Sequence, residues 1–309
     1  KIQNIVTSLE KKSNEYIDNI SLMIDNSKMF SVGISLSKRL DGSKLKQKNI
    51  QFLVQEAKQQ ISKYYLNYNI THIIINNYKV DGVDYSYFPD DVKCDFISLD
   101  LLFICLPTDL VLYFKNIFSK FNILVNQIIC SSYAKSINYK DKLNLNGYTS
   151  FIDVGFNKTS IISYFNDKIL SLNVLPIGGN NITKDISKIL EIDLETSEQK
   201  KRNFDQNLRL ANNEDLLIST LEKIIFARIE EILELCTKSI EYNLSTTGNF
   251  KIILMGEGSK ILDNQHKDKI FFINDLDFLE ETLENICQSG FKFITRINKQ
   301  EVVVIPKKQ

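Results

Sequence analysis

The sequence predicts a mixed α/β protein, and two patterns along the chain support this class. Short apolar runs, typical of buried strands, alternate with longer segments in which apolar residues recur at helical spacing. In the second half, three predicted strands follow one another closely and a glycine-led helix comes directly after them. Strands and helices mixed in this order are typical of an α/β protein.

In the first half of the chain, helix patterns are separated by strand patterns. Apolar residues recur at helical spacing over residues 2–16, and residues 49–66 place their apolar side chains on one helix face. Pro107 is predicted to begin a further helix, because at the first helical position its missing N–H group costs nothing. Strands are predicted in the remaining apolar runs, which are residues 20–25, 30–36, 71–83, 93–106 and 122–132.

In the second half, the three closely spaced strands are residues 151–154, 160–165 and 169–175, with a tight turn at Asn166 and Asp167 between the last two. The glycine-led helix follows, with Asn180 or Asn181 expected as its N-cap. The remaining predicted elements are a long helix at 216–242, a strand and glycine turn at 251–261, a strand at 269–274, a helix at 275–287 and an extended end at 300–309.

Composition limits the class of protein. A chain of 309 residues is long enough for two or more domains, and its 38 basic and 38 acidic residues create no net field that would attract nucleic acid. The five cysteines lie far apart without a C-x-x-C pair, which favours buried thiols in a reducing cytoplasm over a zinc or disulfide framework. No signal peptide or bilayer-spanning run is predicted. Because the chain begins with Lys1 rather than Met, we expect it to be a piece of a longer protein.

The stretch FIDVGFNKTSIISYF contains the residues of a phosphate-binding hairpin. A strand ending in Asp-x-Gly directs the carboxylate of Asp153 out of the sheet edge, where it can hold a metal ion through water. Gly155 lets backbone N–H groups close on phosphate oxygens, and the hydroxyl of Thr159 adds a donor from the returning strand. The alternative is a β-hairpin without a ligand.

Two further elements could complete a nucleotide site. Gly178 and Gly179 lead into a helix N-terminus, which is a second candidate anion site. Glu198 and Lys201 lie one turn apart on a predicted helix, where they could reach ribose hydroxyls. The alternatives are a capped helix in the first case and a solvated charged face in the second.

The turn in KIILMGEGSKI is the last element. Its residues Gly256, Gly258 and Ser259 follow a strand, and their small side chains would let the backbone lie close to a base or ribose. Such turns are also common in proteins that bind no nucleotide. The order of hairpin, Gly-Gly helix, Glu-x-x-Lys and Gly-x-Gly-Ser resembles that of the actin–Hsp70–sugar kinase superfamily.

Within that superfamily the chain resembles FtsA, the bacterial cell-division actin homologue. FIDVGFNKTSIISY is similar to that family's IDIGGGTTDIAVY, and VLPIGGNNITKDI is similar to its VIPYAGNVVTNDI. IIFARIEEILEL resembles its IIxxRxxELxxL helix, and KIILMGEGSKI resembles its VVLTGGGAxL strand and turn. The likeness extends over nearly the whole chain.

The resemblance implies an actin-like (ribonuclease H-like) fold of two lobes that close over ATP, with an inserted subdomain called 1C. The expected parts are a partial first lobe (1A) at 1–25 and 108–146, the 1C subdomain at 26–107, the second lobe (2A) at 147–197 and 250–309, and a reduced fourth subdomain (2B) at 198–249.

The resemblance also implies that ATP and Mg²⁺ are the ligands of the residues named above, with Asp153 as the metal contact through water. Three departures argue for a degraded site. The family's first phosphate loop would precede Lys1, Phe156 and Asn157 stand where the family has glycines, and Glu257 replaces a glycine. A Cβ atom is costly wherever the backbone needs positive φ. We therefore expect weak ATP binding and at most weak ATPase activity.

FtsA proteins polymerise and hold the tubulin-like protein FtsZ at the membrane during division. The resemblance implies that the FtsZ C-terminal tail binds the fourth subdomain near Arg228 and Glu231, where an arginine suits an acidic peptide, although both could be solvated charges. Family members end in an amphipathic helix that lies on the inner membrane, and we expect it beyond Gln309. The implied role is a peripheral adaptor of the division ring (Z ring) at the septum, on the cytoplasmic face of the bacterial inner membrane.

Two other functions in the same superfamily remain open. One is a pilus-assembly adaptor similar to PilM, which shares the lobes and the 1C subdomain but binds a pilin-system peptide. The other is an ATP-dependent phosphotransferase or chaperone-type ATPase. A sugar kinase would need a catalytic carboxylate against the substrate hydroxyl, and the sequence offers no clear candidate.

Overall fold

The structure, a computed structural model, describes residues 2–143, 145, 147–166, 168–204, 216–244, 250–261, 273 and 275–295. The chain divides into two compact units. The first comprises the residues up to Ala134 together with those from Gly290 onward, and the second is Lys135–Ser289. Of the elements predicted above, 300–309 and nearly all of 269–274 lie outside the described residues.

The described strands of the first unit form two sheets. Its elements are α1 (Ile2–Ser13), β1 (Asn19–Ile24), β2 (Phe30–Arg39), α2 (Gln47–Tyr64), β3 (Tyr68–Val80), β4 (Val83–Tyr85), β5 (Phe96–Pro107), α3 (Thr108–Ser119) and β6 (Leu124–Cys130). Strands β1 and β6 pair in parallel, whereas β2, β5, β3 and β4 form an antiparallel sheet in that order. The apolar face of α2, with Leu53 and Ala57, is buried in one cluster with Leu99 and Phe103 of β5. This sheet and α2 lie inside the range predicted for the 1C subdomain, whose boundaries stay a prediction.

The second unit is built on one mixed sheet. Helix α4 (Ser131–Leu143) begins in the residues of the first unit and leads into this sheet. The elements that follow are β7 (Tyr148–Val154), β8 (Thr159–Phe165), β9 (Lys168–Leu175), α5 (Gly179–Leu190), α6 (Leu194–Arg202), α7 (Leu216–Leu244), β10 (Lys251–Met255), β11 (Leu276–Phe278) and α8 (Leu283–Thr295), whose last residues are counted with the first unit. The strand order is β11-β10-β7-β8-β9. Strands β7 to β9 form an antiparallel meander, and β10 runs parallel to β7 and β11.

The core of the second unit joins this sheet to α5 and α7. Ile182 of α5 and Ile232 of α7 are buried in one cluster with Ile152 and Leu254 of the sheet. This packing fixes the carboxyl ends of β7 and β10 beside the start of α5. None of the helices in the described part of the chain is both long and apolar enough to cross a membrane.

The observed elements differ from the sequence predictions at several places. Helix α4 was not predicted, and the single strand expected at 71–83 is divided into β3 and β4. Residues 276–278 form strand β11 where a helix was expected, and that helix, α8, begins at Leu283 and continues to Thr295. Pro107 ends β5 and precedes α3, and Gly178 rather than an asparagine is the N-cap of α5. The start of α4 has a tertiary cause, because the Asp25 carboxylate accepts the N–H group of Ser132 at 3.1 Å.

Candidate functional site

The turn of the β7–β8 hairpin packs directly on the N-terminus of α5. The N–H group of Gly179 donates to the carbonyl of Gly155 at 2.9 Å, and that of Asn180 donates to the carbonyl of Phe156 at 2.7 Å. A Cβ atom at Gly178 would lie 2.5 Å from the Gly155 oxygen and 2.8 Å from the Lys158 nitrogen, so the close approach requires glycine. The hairpin carbonyls therefore occupy the helix N–H groups that the sequence assigned to an anion.

The other polar groups at this junction also have partners within the protein. Gly178 donates its N–H to the Asn181 side chain at 3.0 Å, and the fully buried Thr159 hydroxyl donates to the Ile177 carbonyl at 2.8 Å. The N–H group of Gly155 donates to the Lys158 carbonyl at 2.8 Å. In this arrangement Gly155, Gly178, Gly179 and Thr159 join the hairpin to the helix.

The hairpin turn accommodates its unusual side chains without left-handed backbone. Neither Phe156 nor Asn157 has positive φ, so the expected backbone cost at these positions does not arise. Phe156 is about half exposed, at 52 %, and the Asn157 side-chain oxygen accepts a hydrogen bond from Asn180 at 2.9 Å. Lys158 donates to the hydroxyl of Ser160 at 2.7 Å.

Asp153, at the carboxyl end of β7, is the centre of a buried charge cluster. Its carboxylate lies 2.7 Å from the ammonium of Lys135 on α4, which also donates to Glu281 at 2.9 Å. The three side chains are between 2 % and 7 % exposed. Tyr139 donates its hydroxyl to the second oxygen of Glu281 at 2.9 Å. We call Lys135, Asp153 and Glu281 the buried triad.

The charges of the buried triad support one another. Burial by itself lowers the pKa of Lys135, but the two carboxylates outweigh it and raise that pKa above its ordinary value. Burial and the negative charge of Glu281 raise the pKa of Tyr139. The ammonium of Lys135 is therefore charged at every physiological pH, and it neutralises the carboxylate that the sequence assigned to a hydrated metal ion.

The residues around Asp153 do not fit Mg²⁺. This ion prefers several oxygen ligands and waters in octahedral geometry, whereas the buried Asp153 carboxylate faces an ammonium group. Among the residues that the structure describes, no group of three or more His, Cys, Asp or Glu side chains could share a metal ion. The expected metal contact through water is replaced here by an ion pair.

The glycine turn after β10 packs against the end of β7. Gly256 has φ +93°, and a Cβ atom there would overlap the Asp153 carboxylate and lie 2.6 Å from the Val154 carbonyl. A Cβ atom at Gly258 would lie 2.6 Å from the Val154 side chain. Ser259 is buried and donates its hydroxyl to the Gly256 carbonyl at 2.7 Å. The glycines of the Gly-x-Gly-Ser pattern thus allow the turn after β10 to pack closely on the end of β7.

Glu198 and Lys201 connect α6 to the first turn of α5. The Lys201 ammonium donates to the Gly179 carbonyl at 3.0 Å, to the Thr183 hydroxyl at 2.8 Å and to Glu198 at 2.6 Å. Glu198 also accepts from the Thr183 hydroxyl at 2.5 Å and from Arg202 at 2.8 Å. Lys201 is buried, so this network is internal rather than a solvated charged face.

Burial affects the pKa of both Glu198 and Lys201. It opposes ionisation of Glu198, but hydrogen bonds from Lys201, Thr183 and Arg202 outweigh it and lower the Glu198 pKa to about 2. Burial lowers the pKa of Lys201, although Glu198 partly compensates. The network therefore consists of a strongly held carboxylate and an ammonium group that is costly to bury.

Arg228 and Glu231 lie on α7, and the arginine is held by α5. Its guanidinium donates through Nε to Asp185 at 2.5 Å and through a terminal nitrogen to the other Asp185 oxygen at 3.0 Å. Glu231 accepts a third hydrogen bond from Arg228. Arg228 and Asp185 are each 26 % exposed, so they form a partly buried bidentate clamp between two helices.

The structure brings the predicted site residues Asp153, Gly155, Gly179, Lys201 and Gly256 into contact with one another or with a shared neighbour. The sequence patterns did not identify Lys135, Thr183, Asp185 and Glu281, which the structure places in the same interactions or beside Arg228. For Lys135, a helical reading of the stretch SSYAKSINYKDKL would have placed the lysine after β6. No local signal identifies Glu281, because its partners lie 142 and 146 residues away.

Comparison with known families supports the resemblance. Residues 150–261 match the family model described as "Cell division protein FtsA". The cell division protein FtsA of Bacillus subtilis (strain 168) is 34 % identical over 116 residues, which cover 33 % of this chain and 26 % of that protein. The match thus spans about a quarter of that relative's length. Residues 150–261, which the family model matches, include most of the β7–β8 hairpin, α5, α7 and the glycine turn.

Solved structures extend the comparison to the fold. The structure titled "PilM-PilN type IV pilus biogenesis complex" covers 94 % of this chain and 81 % of its own, with a TM-score of 0.63 and 15 % identity. MreB 5 of Spiroplasma citri bound to AMPPNP covers 61 % of this chain and 65 % of its own, with a TM-score of 0.45 and 13 % identity. The predicted actin-like α/β fold and the resemblance to FtsA are confirmed.

Proposed function

We propose that this chain, whose residues 150–261 match cell division protein FtsA, belongs to an adaptor that helps assemble the bacterial division ring. The adaptor binds the C-terminal tail of FtsZ, associates with its own copies into filaments and works at the cytoplasmic face of the inner membrane. The match to FtsA carries this proposal, because it includes α5 and the α7 residue Arg228, which is the candidate contact for the tail.

The proposed tail contact lies at the junction of α5 and α7. Arg228 keeps a quarter of its side chain exposed, and its guanidinium is oriented by Asp185 and Glu231. An acidic peptide would approach the exposed edge and compete with these carboxylates for the guanidinium. Asp185 therefore has two effects. It orients the guanidinium of Arg228, and its negative charge competes with the tail and weakens tail binding.

The test is a titration of a labelled FtsZ C-terminal peptide, followed by fluorescence anisotropy. We expect Arg228→Glu to weaken binding at least tenfold, which corresponds to about 1.4 kcal/mol. Lys238→Glu is the matched control, because it reverses an exposed charge on the same helix, and it should leave affinity within about twofold. Asp185→Asn should tighten binding, since it removes the competing charge. Equal effects of Arg228→Glu and Lys238→Glu would contradict this tail site.

The same proposal includes weak nucleotide binding. The N–H groups at the start of α5 are bonded to the hairpin, and Lys135 neutralises Asp153, so few groups of the second unit are available to phosphate. We expect the full-length protein to turn over ATP weakly at most. Turnover that is abolished by Asp153→Ala would instead favour the ATPase or phosphotransferase alternative.

A pilus-assembly adaptor similar to PilM is the second candidate, and the fold likeness over 94 % of the chain favours it. At 15 % identity this likeness concerns the fold only, whereas the match to FtsA concerns sequence. Binding of a PilN-derived peptide together with no binding of the FtsZ tail would support this candidate.

A further inference from the structure

We propose that Lys135 is a built-in counter-ion that takes the place of a divalent cation at Asp153, so that the second unit is complete without Mg²⁺. This inference does not rest on the proposed partner. It concerns the charge balance of the carboxyl end of β7 in this chain.

The position of the ammonium group carries the proposal. The Nζ atom of Lys135 lies 2.7 Å from an Asp153 oxygen and 2.9 Å from a Glu281 oxygen, so one point is shared by two carboxylates from different elements. A divalent cation bound by both carboxylates would occupy the same point. The lysine already fills it, and at most 7 % of any of the three side chains is exposed.

While Lys135 is in place, the surroundings of the buried triad leave little room for a hydrated ion. Gly256 packs so closely on Asp153 that even a methyl group would overlap the carboxylate, and the hydroxyl of Tyr139 takes the second oxygen of Glu281. Mg²⁺ gives up its water reluctantly and normally retains several molecules. A covalently tethered ammonium needs no such space and cannot dissociate, which makes the charge balance independent of cation concentration.

The consequence is a specific response to substitution. Removing the ammonium leaves two buried carboxylates facing each other, and this arrangement is strongly unfavourable unless another cation enters. Lys135→Met should therefore convert a cation-independent unit into one whose stability depends on a divalent ion. The methionine side chain is one atom shorter than that of lysine, so it keeps most of the packing of the lysine stem and vacates the point between the two carboxylates.

The experiment measures the melting temperature, Tm, of nucleotide-free protein in EDTA and in millimolar Mg²⁺ or Mn²⁺, at matched ionic strength. For the natural sequence we expect the same Tm in all three solutions. For Lys135→Met we expect a Tm lowered by roughly 5–15 °C in EDTA and partly restored by Mn²⁺ or Mg²⁺. The matched control is the triple variant Lys135→Met/Asp153→Asn/Glu281→Gln, which has no charge in the triad and should not respond to either ion.

Two results would overturn the proposal. One is a rise of Tm with Mg²⁺ in the natural sequence that Asp153→Asn abolishes, because the carboxylate would then bind the ion despite Lys135. The other is a Lys135→Met protein that does not respond to divalent ions. Should this variant not fold in EDTA, recovery of folding only with Mn²⁺ supports the proposal. If Lys135→Met folds neither in EDTA nor with Mn²⁺, the double variant Lys135→Met/Glu281→Gln decides. The proposal is overturned when this double variant folds and does not respond to Mn²⁺.

Discussion

The N–H group of Gly179 donates to the carbonyl of Gly155 at 2.9 Å, which joins the first turn of α5 to the tip of the β7–β8 hairpin. A helix N-terminus carries unsatisfied N–H groups and a partial positive charge, and it commonly binds an anion. Here the backbone of the hairpin supplies the acceptor. The junction is therefore stable without a phosphate group, and its stability depends on close backbone packing.

Gly178→Ala should destabilise this junction. Its Cβ atom would lie 2.5 Å from the Gly155 oxygen and 2.8 Å from the Phe156 oxygen, and backbone atoms cannot move aside as a flexible side chain can. We expect a loss of about 1–3 kcal/mol in the free energy of unfolding, measured by urea denaturation.

Gly33→Ala is the control for that substitution. Gly33 lies on β2 with ordinary φ, and an added Cβ atom would meet no atom closer than 3.9 Å. Its free energy of unfolding should change by less than about 0.5 kcal/mol. Equal losses in the two variants would show that the close packing at Gly178 is not a determinant of stability.

Glu198→Gln should change the dependence of stability on pH. The pKa of Glu198 is lowered from 4.5 to about 2 in the folded protein, so its contribution is present above pH 4.5 and is lost as the pH falls towards 2. We expect a contribution of about 1–2 kcal/mol, because the burial of Lys201 offsets part of the gain. We expect the free energy of unfolding, measured by urea denaturation at several pH values in this window, to change less steeply with pH in the variant than in the natural sequence.

Glu195→Gln provides the comparison for the pH experiment. Glu195 is exposed in the first turn of the same helix. Its replacement by glutamine should therefore leave the change of unfolding free energy with pH nearly the same as in the natural sequence. If Glu198→Gln and the natural sequence lose stability equally on acidification, the network around Lys201 does not hold the carboxylate as described.

Arg228 and Asp185 should show a measurable coupling energy. A bidentate, partly buried arginine–carboxylate pair is stronger than an exposed ion pair, and we expect about 1–2 kcal/mol from a double-mutant cycle to alanine. The exposed pair Lys238–Glu234 on α7, with a separation of 3.4 Å, should give about 0.3–0.5 kcal/mol. Coupling of Arg228 to Asp185 below that of the exposed pair would contradict a clamp between α5 and α7.

The cysteines should differ sharply in reactivity. Burial raises the pKa of the Cys105 and Cys236 thiols to about 12, whereas Cys287 is exposed. In native protein at about pH 8, a thiol reagent should therefore modify one cysteine quickly, and the four buried cysteines should react only after unfolding. Mass spectrometry identifies the site, and Cys287→Ser should abolish the fast reaction. Fast modification of Cys105 or Cys236 would show that the core opens readily.

The sequence determined most of the second unit. The meander, the glycine-led α5 and the long α7 follow from apolar periodicity and glycine placement, which are local properties of the chain. The positions of Asp153, Gly178 and Gly256 also follow from local motifs. The match to FtsA over residues 150–261 confirms the family resemblance in this segment.

Only the tertiary structure decided what those residues contact. Helix α4 and strand β11 escaped prediction because their cap and their pairing come from distant residues, such as Asp25 for α4. The pairing of Asp153 with Lys135 and the use of the α5 N–H groups by the hairpin could not be read from spacing. The physical reason is that a carboxylate or an N–H group has the same local sequence whether its partner is a phosphate, a metal ion or another part of the chain. Long-range packing alone selects that partner.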